Sequence, residues 1–499
     1  MATDPESATA QAPVIELELT DLAYGGDAVG RHAGRAIFVA GGLPGELVRA
    51  RLIRERNNYA RAELVEVLRP SPDRVEPRFP DLGASGGFQW QHLSYPAQLA
   101  WKTRITRQLL MRVGHFAQPA VHPMLGMPPG SDLWRYRTVA QFAAGARGAI
   151  GFRRAGSHDV LDMPTCPLVH PHLDVLYQQV RAWLLARWGE DAASYVERFT
   201  LRVAASDPAS PGARLLPPAI PPLPQPPRLP AVESADANLQ QRVPPDQRAG
   251  VLSLEARPGG ALDAAGGPQA IGEALLAAVP GLVGVVTLGL PGGRGRVVSG
   301  QDYVHDRVFD RVFRISAGSF FQVNAAQTPG LVERALLAAR TRPADHVLDG
   351  YSGVGLFSLF FAGRAARVTA IESQASAVAD ARASAEINHV ENVATHEGVL
   401  ERMLGELARQ GERVDVALVD PPRSGCHPRA LAALKEQAPR QFLYVSCDPS
   451  TLARDLQLFC ADGYRLVSVQ PVDLFPHTSH IEAIAVCERD RSRGPSGRR

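Results

Sequence analysis

From about Phe313 to residue 488 the chain repeats one unit: a short apolar run, a polar turn, then an amphipathic stretch. Strand-like runs fall at 346–349, 368–372, 393–397, 414–420, 441–446, 465–469 and 481–486, with segments such as 375–388 between most of them. A helix between two strands returns the chain to the end of the sheet where it started, so successive strands pair in parallel, and they read as nearly continuous apolar runs. The alternation therefore predicts an α/β, Rossmann-like, doubly wound sheet over 313–488, with ligands bound in the crevice at the carboxyl ends of its strands.

The text before Phe313 does not alternate in this way. At about 150 residues per domain, 499 residues leave room for roughly two more units. Residues 1–13 are acidic and rich in Ala and Pro, and read as a disordered leader. Residues 14–70 carry four or five short strands with turns at Gly25-Gly26, Gly30, Gly41-Gly42 and Pro44-Gly45, which predicts an OB-like β-barrel. Residues 71–312 form an α+β middle domain. Its helix at 94–114 has Leu99, Ile105, Leu109, Leu110 and Val113 on one face and is expected to pack on the C-terminal domain. An insert at 207–245 is saturated with proline at its start, so it can be neither helix nor central strand. It reads as an exposed loop, with recruitment of a proline-binding partner as the second reading. Residues 489–499 form a basic tail.

Charge is informative only locally. Lys plus Arg number 53 against 51 Asp plus Glu, a net +2 that carries no global signature of a nucleic-acid binder. Residues 49–61 nevertheless hold Arg49, Arg51, Arg54, Arg56 and Arg61 against Glu55, a net +4. From Lys102 to Arg154 nine cations face one Asp, a net +8, interleaved with Trp134, Tyr136, Phe142 and Phe152. Cations mixed with aromatics suit a phosphate backbone with stacked bases. A solvated arginine-rich face is the other reading, since lysine occurs only at 102 and 435. The five cysteines, Cys166, Cys426, Cys447, Cys460 and Cys487, are odd in number and widely spaced. No signal peptide opens the chain and no run of about 18 apolar residues could span a membrane. A reducing cytoplasm is therefore expected, with no membrane contact and no obligate protein partner.

Four motifs sit at strand ends of the C-terminal domain. In Asp349-Gly-Tyr-Ser-Gly-Val-Gly, Gly353 and Gly355 permit close approach of a ligand to the backbone. Glu372 closes the next strand, where a carboxylate can accept both ribose hydroxyls of a nucleoside cofactor. The pair points to S-adenosylmethionine ahead of a nicotinamide. In Asp420-Pro-Pro-Arg-Ser-Gly the prolines stiffen the turn and project Asp420 into the crevice, where it can hold the imide N–H of a base; a merely rigid turn is the alternative. In Ser446-Cys-Asp-Pro-Ser, Cys447 precedes a helix that Asp448 or Ser450 can cap. An exposed thiol there would have a lowered pKa, and nucleophile and buried strand-end cysteine both stand as readings. Cys460 and Cys487 read as core, and Cys426 as a loop residue. In Phe475-Pro-His-Thr-Ser-His-Ile-Glu, Glu482 opens a hydrophobic strand, where desolvation raises its pKa toward that of a useful base. His477 and His480 could form a metal pair, but no further ligand accompanies them.

These motifs, in this order and spacing, resemble the RNA (uracil-5-)-methyltransferase family, and residues 14–70 resemble its TRAM domain. Gly151-Phe-Arg-Arg-Ala-Gly-Ser-His, Cys166-Pro-Leu and Ser319-Phe-Phe-Gln-Val-Asn are similar to family text as well. The resemblance spans roughly 14–200 and 250–487. It implies a class I, S-adenosylmethionine-dependent enzyme that forms 5-methyluridine in RNA, with 23S rRNA the expected substrate and tRNA the alternative. Carried over by motif, Cys447 is the nucleophile and Glu482 the base. Asp420 holds the uracil edge with Arg423 beside it. Gln322, Tyr351, Glu372 and Asp420 contact the cofactor, and Asp349, Gly353 and Gly355 shape its pocket. Many members bind a [4Fe–4S] cluster through four cysteines. Here Phe79, Ser85 and Phe88 stand at three of those positions and only Cys166 remains, so no cluster and no metal is expected. Ser352 replaces a frequent Cys. Val399 stands where an acidic residue near the adenine is common, so either cofactor affinity falls or Glu397 or Glu401 takes that role. Two rivals remain. A cytosine-5 RNA methyltransferase would carry a second cysteine in a Pro-Cys context, which the Asp-Pro-Pro-Arg motif lacks. A catalytically silent RNA-binding or ribosome-assembly protein would not need Cys447 and Glu482.

Overall fold

The computed structural model describes residues 12–205, 250–257, 262, 266–288, 296–461 and 463–490. The leader up to residue 11, the Pro-rich insert and the tail from residue 491 lie outside the described residues.

Strands β1 (Val14–Leu22), β2 (Ala28–His32), β3 (Arg35–Ala40), β4 (Leu47–Glu55) and β5 (Tyr59–Arg69) close into a barrel in the order β1-β2-β3-β5-β4. Alternate side chains point inward, and Leu17, Leu19, Ile37, Val39, Val48 and Ala60 fill the lumen. The net +4 counted along residues 49–61 is largely cancelled by folding. Arg49 bridges Glu16 and Glu66, Arg51 meets Glu63, Arg61 meets Asp27, and Arg35 meets Glu55, all at 2.8–3.6 Å. Acids remote in sequence arrive across the ladder. Arg49, Arg51 and Arg61 are therefore charge-paired, and such exposed pairs add little to stability.

Helix α1 (Tyr95–Arg112) joins the barrel to the C-terminal domain. Ile105 and Leu110 are buried, while Leu99 and Leu109 rest on the barrel core. The helix also buries a second, polar stripe: Gln98, Lys102 and Thr106, spaced four apart. Lys102, counted above within a basic RNA-facing segment, is instead fully buried. Its Nζ donates to Asp473 Oδ1 at 2.7 Å and to the Phe475 carbonyl at 2.9 Å. Burial pulls the Lys102 pKa down and Asp473 opposes the shift. Removing one partner of a buried ion pair strands the other charge in apolar surroundings. Lys102→Met should therefore cost about 3–5 kcal/mol in urea unfolding. A loss below about 1 kcal/mol would contradict the pairing.

The middle domain is a seven-stranded sheet of β6 (Val139–Ala144), β7 (Ile150–Arg153), β8 (Val160–Asp162), β9 (Val196–Val203), β10 (Gly250–Ala256), β11 (Leu282–Leu288) and β12 (Arg296–Gly300). Its order is β12-β11-β10-β9-β6-β7-β8, with one parallel pair, β10 and β11. Helices α2 (Pro171–Trp188) and α3 (Gly267–Ala278) share one apolar core with it. The hairpin of β13 (Tyr303–Val308) and β14 (Arg311–Ser316) follows and straddles residue 312, the expected end of the middle domain. Val304, Val308, Phe313 and Ile315 pack with Leu331 and Val347, in the core of the C-terminal domain.

That domain holds β15 (His346–Gly350), β16 (Arg367–Glu372), β17 (Val393–Glu397), β18 (Val416–Val419), β19 (Gln441–Ser446), β20 (Tyr464–Val472) and β21 (Glu482–Arg489), ordered β17-β16-β15-β18-β19-β21-β20. Helices α4 (Thr328–Ala339), α5 (Leu356–Ala362), α6 (Ala375–Ile387), α7 (Leu400–Arg409), α8 (Pro428–Gln437) and α9 (Pro449–Cys460) accompany it. Strands β15 to β19 pair in parallel, and β21 runs antiparallel to both β19 and β20. This reversal matters for function. It brings the first residue of β21 to the edge where β15, β18 and β19 end. The order also switches direction beside β15, which opens a crevice there. Among the described residues no helix is long and apolar enough to cross a membrane.

Candidate active site

Four segments meet at this edge. The first is the turn after β15, where Tyr351, Gly353 and Gly355 all have positive φ. A Cβ at Gly353 would find its nearest neighbour, the Phe320 carbonyl, only at 4.0 Å, so the turn leaves open space at that point. The Gly353 N–H donates to Glu372 Oε2 at 3.0 Å, while Glu372 Oε1 accepts from the N–H groups of Ser373 and Gln374. Asp349 is fully buried: Oδ2 accepts from the Ser358 hydroxyl at 2.5 Å, and Oδ1 has no hydrogen-bond partner among the described residues. Burial lifts the Asp349 carboxyl to about 7. S-adenosylmethionine offers an ammonium, a sulfonium and ribose hydroxyls. An unsatisfied buried carboxyl oxygen beside an open glycine turn and a half-buried Glu372 fits those groups.

The second segment carries Gln322, which is buried. Its loop is held from several sides. Ser319 Oγ donates to Asp380 at 2.6 Å, and the Ser319 carbonyl accepts from Arg202 of β9. Asn324 Nδ2 donates to the Leu474 carbonyl at 3.0 Å. Tyr351, expected to contact the cofactor, has its phenol beside Cys426. Val399, exposed at the head of α7, offers no polar atom from its side chain, and Glu401 lies 3.9 Å from His427 Nδ1.

The third and fourth segments bring the proposed nucleophile and base together. Ser446 pairs with Ala483 and the strands are antiparallel, so Cys447 and Glu482 are the next facing positions. Asp420 follows β18, and its N–H donates to the Gly350 carbonyl at 3.2 Å. Burial first, and the Asp349 carboxyl second, push Asp420 up to about 8. Glu482 is buried with Oε1 lacking a hydrogen-bond partner among the described residues. Its carboxyl is held well above the usual range by burial and by Asp420, against the opposing charge of Arg423.

Cys447 corrects an expectation. The thiol is half-buried, not exposed, and is raised to about 12 by burial, then by Glu482 and Asp420. Asp448 caps the helix that follows: its Oδ1 accepts from the N–H groups of Ser450 and Thr451 at 2.9 and 3.1 Å. Arg423 is the neighbouring cation that opposes the rise. Cys460 is also only half-buried, where a core position was expected, and its sulfur lies 3.5 Å from that of the buried Cys487. Cys426 is buried within its loop and its N–H donates to Asp455 at 2.8 Å.

His477 is occupied in structure. Its backbone N–H donates to Gln98 Oε1, its carbonyl accepts from the Trp90 N–H, and its ring stacks on Trp134 at 3.9 Å. Burial pushes His477 and His480 down to about 4, so both are neutral. Trp134 in turn packs on Phe79 and Phe88, at two of the positions where the resemblance places cluster cysteines, with centroids 5.0 and 5.9 Å away. Phe88 and Cys166 belong to one apolar core, and Cys166 is raised to about 12 by burial. Gln98, Lys102 and Asp473, which together fix the loop leading to Glu482, escaped the motif reading. The signal for them was the polar i, i+4 spacing on α1 and the rarity of lysine.

Comparisons with known proteins bear on the family and the fold. The family described as tRNA (Uracil-5-)-methyltransferase matches residues 292–490, and the TRAM domain matches residues 13–65. A protein named as an RNA methyltransferase from Halalkalibacterium halodurans is 33% identical over 496 residues, covering 96% of this chain and 98% of its own. Another so named, from Caldanaerobacter subterraneus, is 34% identical over 484 residues, covering 95% and 98%. The crystal structure of Pyrococcus abyssi tRNA (uracil-54, C5)-methyltransferase in complex with S-adenosyl-L-homocysteine superposes with a TM-score of 0.65 at 22% identity, over 95% of this chain and 99% of that one, and so shares the fold.

Proposed function

The chain belongs to the RNA (uracil-5-)-methyltransferase family, an S-adenosylmethionine-dependent group acting on uracil C5, and from that premise we propose that it forms 5-methyluridine in 23S rRNA through a covalent Cys447 adduct. The observation that carries the reading is the facing of Cys447 and Glu482 at one strand end, with Asp420 beside them.

Uracil C5 is a poor nucleophile on its own. Addition of the Cys447 thiolate to C6 breaks the C5=C6 double bond and places an enolate across C5 and the C4 carbonyl. Asp420 accepts the imide N–H and fixes the ring over the thiol. Bound S-adenosylmethionine supplies the electrophilic methyl that C5 takes up. Glu482 then removes the C5 proton, the double bond re-forms, and the C6–S bond breaks to return the thiolate. A high proton affinity suits Glu482 to that task. It also means that the site must shed protons before addition. Arg423 favours this, since its charge lowers the proton affinity of both Cys447 and Glu482. Asp349, Gly353 and Glu372 hold the cofactor, with Gln322 and Tyr351 at the margin of that pocket. The base must leave its stack to arrive here.

By analogy, a TRAM barrel favours a 23S rRNA enzyme over a tRNA enzyme that lacks one. The similarity to a tRNA enzyme keeps tRNA as the second reading. Incubation with labelled methyl donor and transcribed 23S rRNA or tRNA separates them. Formation of 5-methyluridine in 23S rRNA is expected. Its formation only in tRNA would overturn the choice of RNA, and its absence from both would overturn the enzymatic reading.

A further inference from the structure

Tyr24 lies two residues beyond β1, in the turn that leads into β2. That turn is pressed against the C-terminal domain. A Cβ added at Gly26 would meet Trp90 Nε1 at 3.1 Å and Ser479 Cβ at 3.2 Å, and the Gly26 carbonyl accepts from Trp90 Nε1 at 3.1 Å. Ser479 stands three residues before Glu482. The apolar core of the barrel runs on through Trp90 and Ile481, and Tyr24 is a partly buried member of it. The barrel is thus held in fixed register with the loop that carries the base.

In that position the Tyr24 phenol lies near Asp448, Arg423 and Cys447. Burial and Asp448 raise its proton affinity, so the group stays an uncharged donor. None of the roles derived above requires a tyrosine from another domain. A ring with one polar edge, half-buried beside a nucleophile that must receive a base out of its stack, is suited to hold that base.

We propose that Tyr24 is a substrate-positioning residue through which the barrel completes the pocket for the target nucleotide. Its ring forms the wall against which the extruded uracil rests, and the packing of the turn on Trp90 and Ser479 fixes its place. The inference rests on the RNA-methylating reading above. It gives the barrel a part in the chemistry beyond holding RNA at a distance.

Steady-state kinetics with the full chain and its RNA test it. Tyr24→Ala should lower kcat/KM for RNA by about 10- to 100-fold, mainly through KM, because one base–aromatic contact is lost. S-adenosylmethionine affinity, measured by calorimetry, should stay within about twofold, which a merely structural defect would not allow. Tyr24→Phe keeps the ring and should retain roughly a third or more of the parent value. If Tyr24→Ala does not fold by circular dichroism, Tyr24→Leu takes its place with an expected loss of about 10-fold. An active parent matched within about twofold by the variant without the ring would overturn this inference alone, as would a loss of cofactor affinity in step with activity. A parent that methylates no RNA would overturn the functional reading and this inference together.

Discussion

Cys447→Ala should lose RNA methylation by a factor on the order of 10⁴ or more while still binding RNA and cofactor. The expectation follows from the uracil ring, whose C5 becomes nucleophilic only once C6 carries a substituent. No other thiol can take over. Cys166 and Cys426 are buried, and Cys460 and Cys487 lie against each other. The half-buried thiol, raised to about 12, also predicts that kcat/KM of the parent rises with pH through neutrality and does not level off there. Methylation by Cys447→Ala within tenfold of the parent would remove the covalent mechanism.

Glu482→Gln should give the opposite phenotype at the same site: slow release after successful addition. The amide is isosteric and uncharged, so it suits a buried position where the carboxyl already has a high proton affinity. It cannot take the C5 proton. Cys447 still adds and C5 still accepts the methyl, but elimination stalls. Turnover should fall by about 10²- to 10⁴-fold, the usual contribution of a positioned base. A denaturation-resistant complex of protein and methylated RNA should accumulate, visible as a shifted band. Rapid turnover without such a complex would assign proton removal to another group. Asp420, raised to about 8 and adjacent to both Cys447 and Glu482, would be that group.

Much of the catalytic domain was legible in the residues because each of its strands is a short apolar run closed by a polar turn. The observed strands overlap every run read from the sequence, and Asp349, Asp420, Cys447 and Glu482 sit at strand ends as their motifs require. What could not be read depends on pairing between distant segments. The antiparallel direction of β21 sets Glu482 opposite Cys447, and no local pattern encodes it. Charge was misleading for the same reason. Arg49, Arg51 and Arg61 look unopposed along the chain and are matched across the barrel, while Lys102 looks like a surface cation and is buried on Asp473. The thiol was misjudged because its burial and its carboxylate neighbours Glu482 and Asp420 come from packing that the local sequence does not encode. Tyr24 carries no motif and acquires meaning only when the barrel turn meets Ser479.

The central claim, methyl transfer to uracil C5 with loss of the C5 hydrogen, is tested most directly by tritium release. RNA transcribed with uridine tritiated at C5 is incubated with the protein and S-adenosylmethionine carrying a ¹⁴C-methyl group. The account predicts that tritium appears in water in equal amount to methyl incorporated into RNA. Methyl incorporation without tritium release would place the new bond elsewhere on the nucleotide and contradict the account.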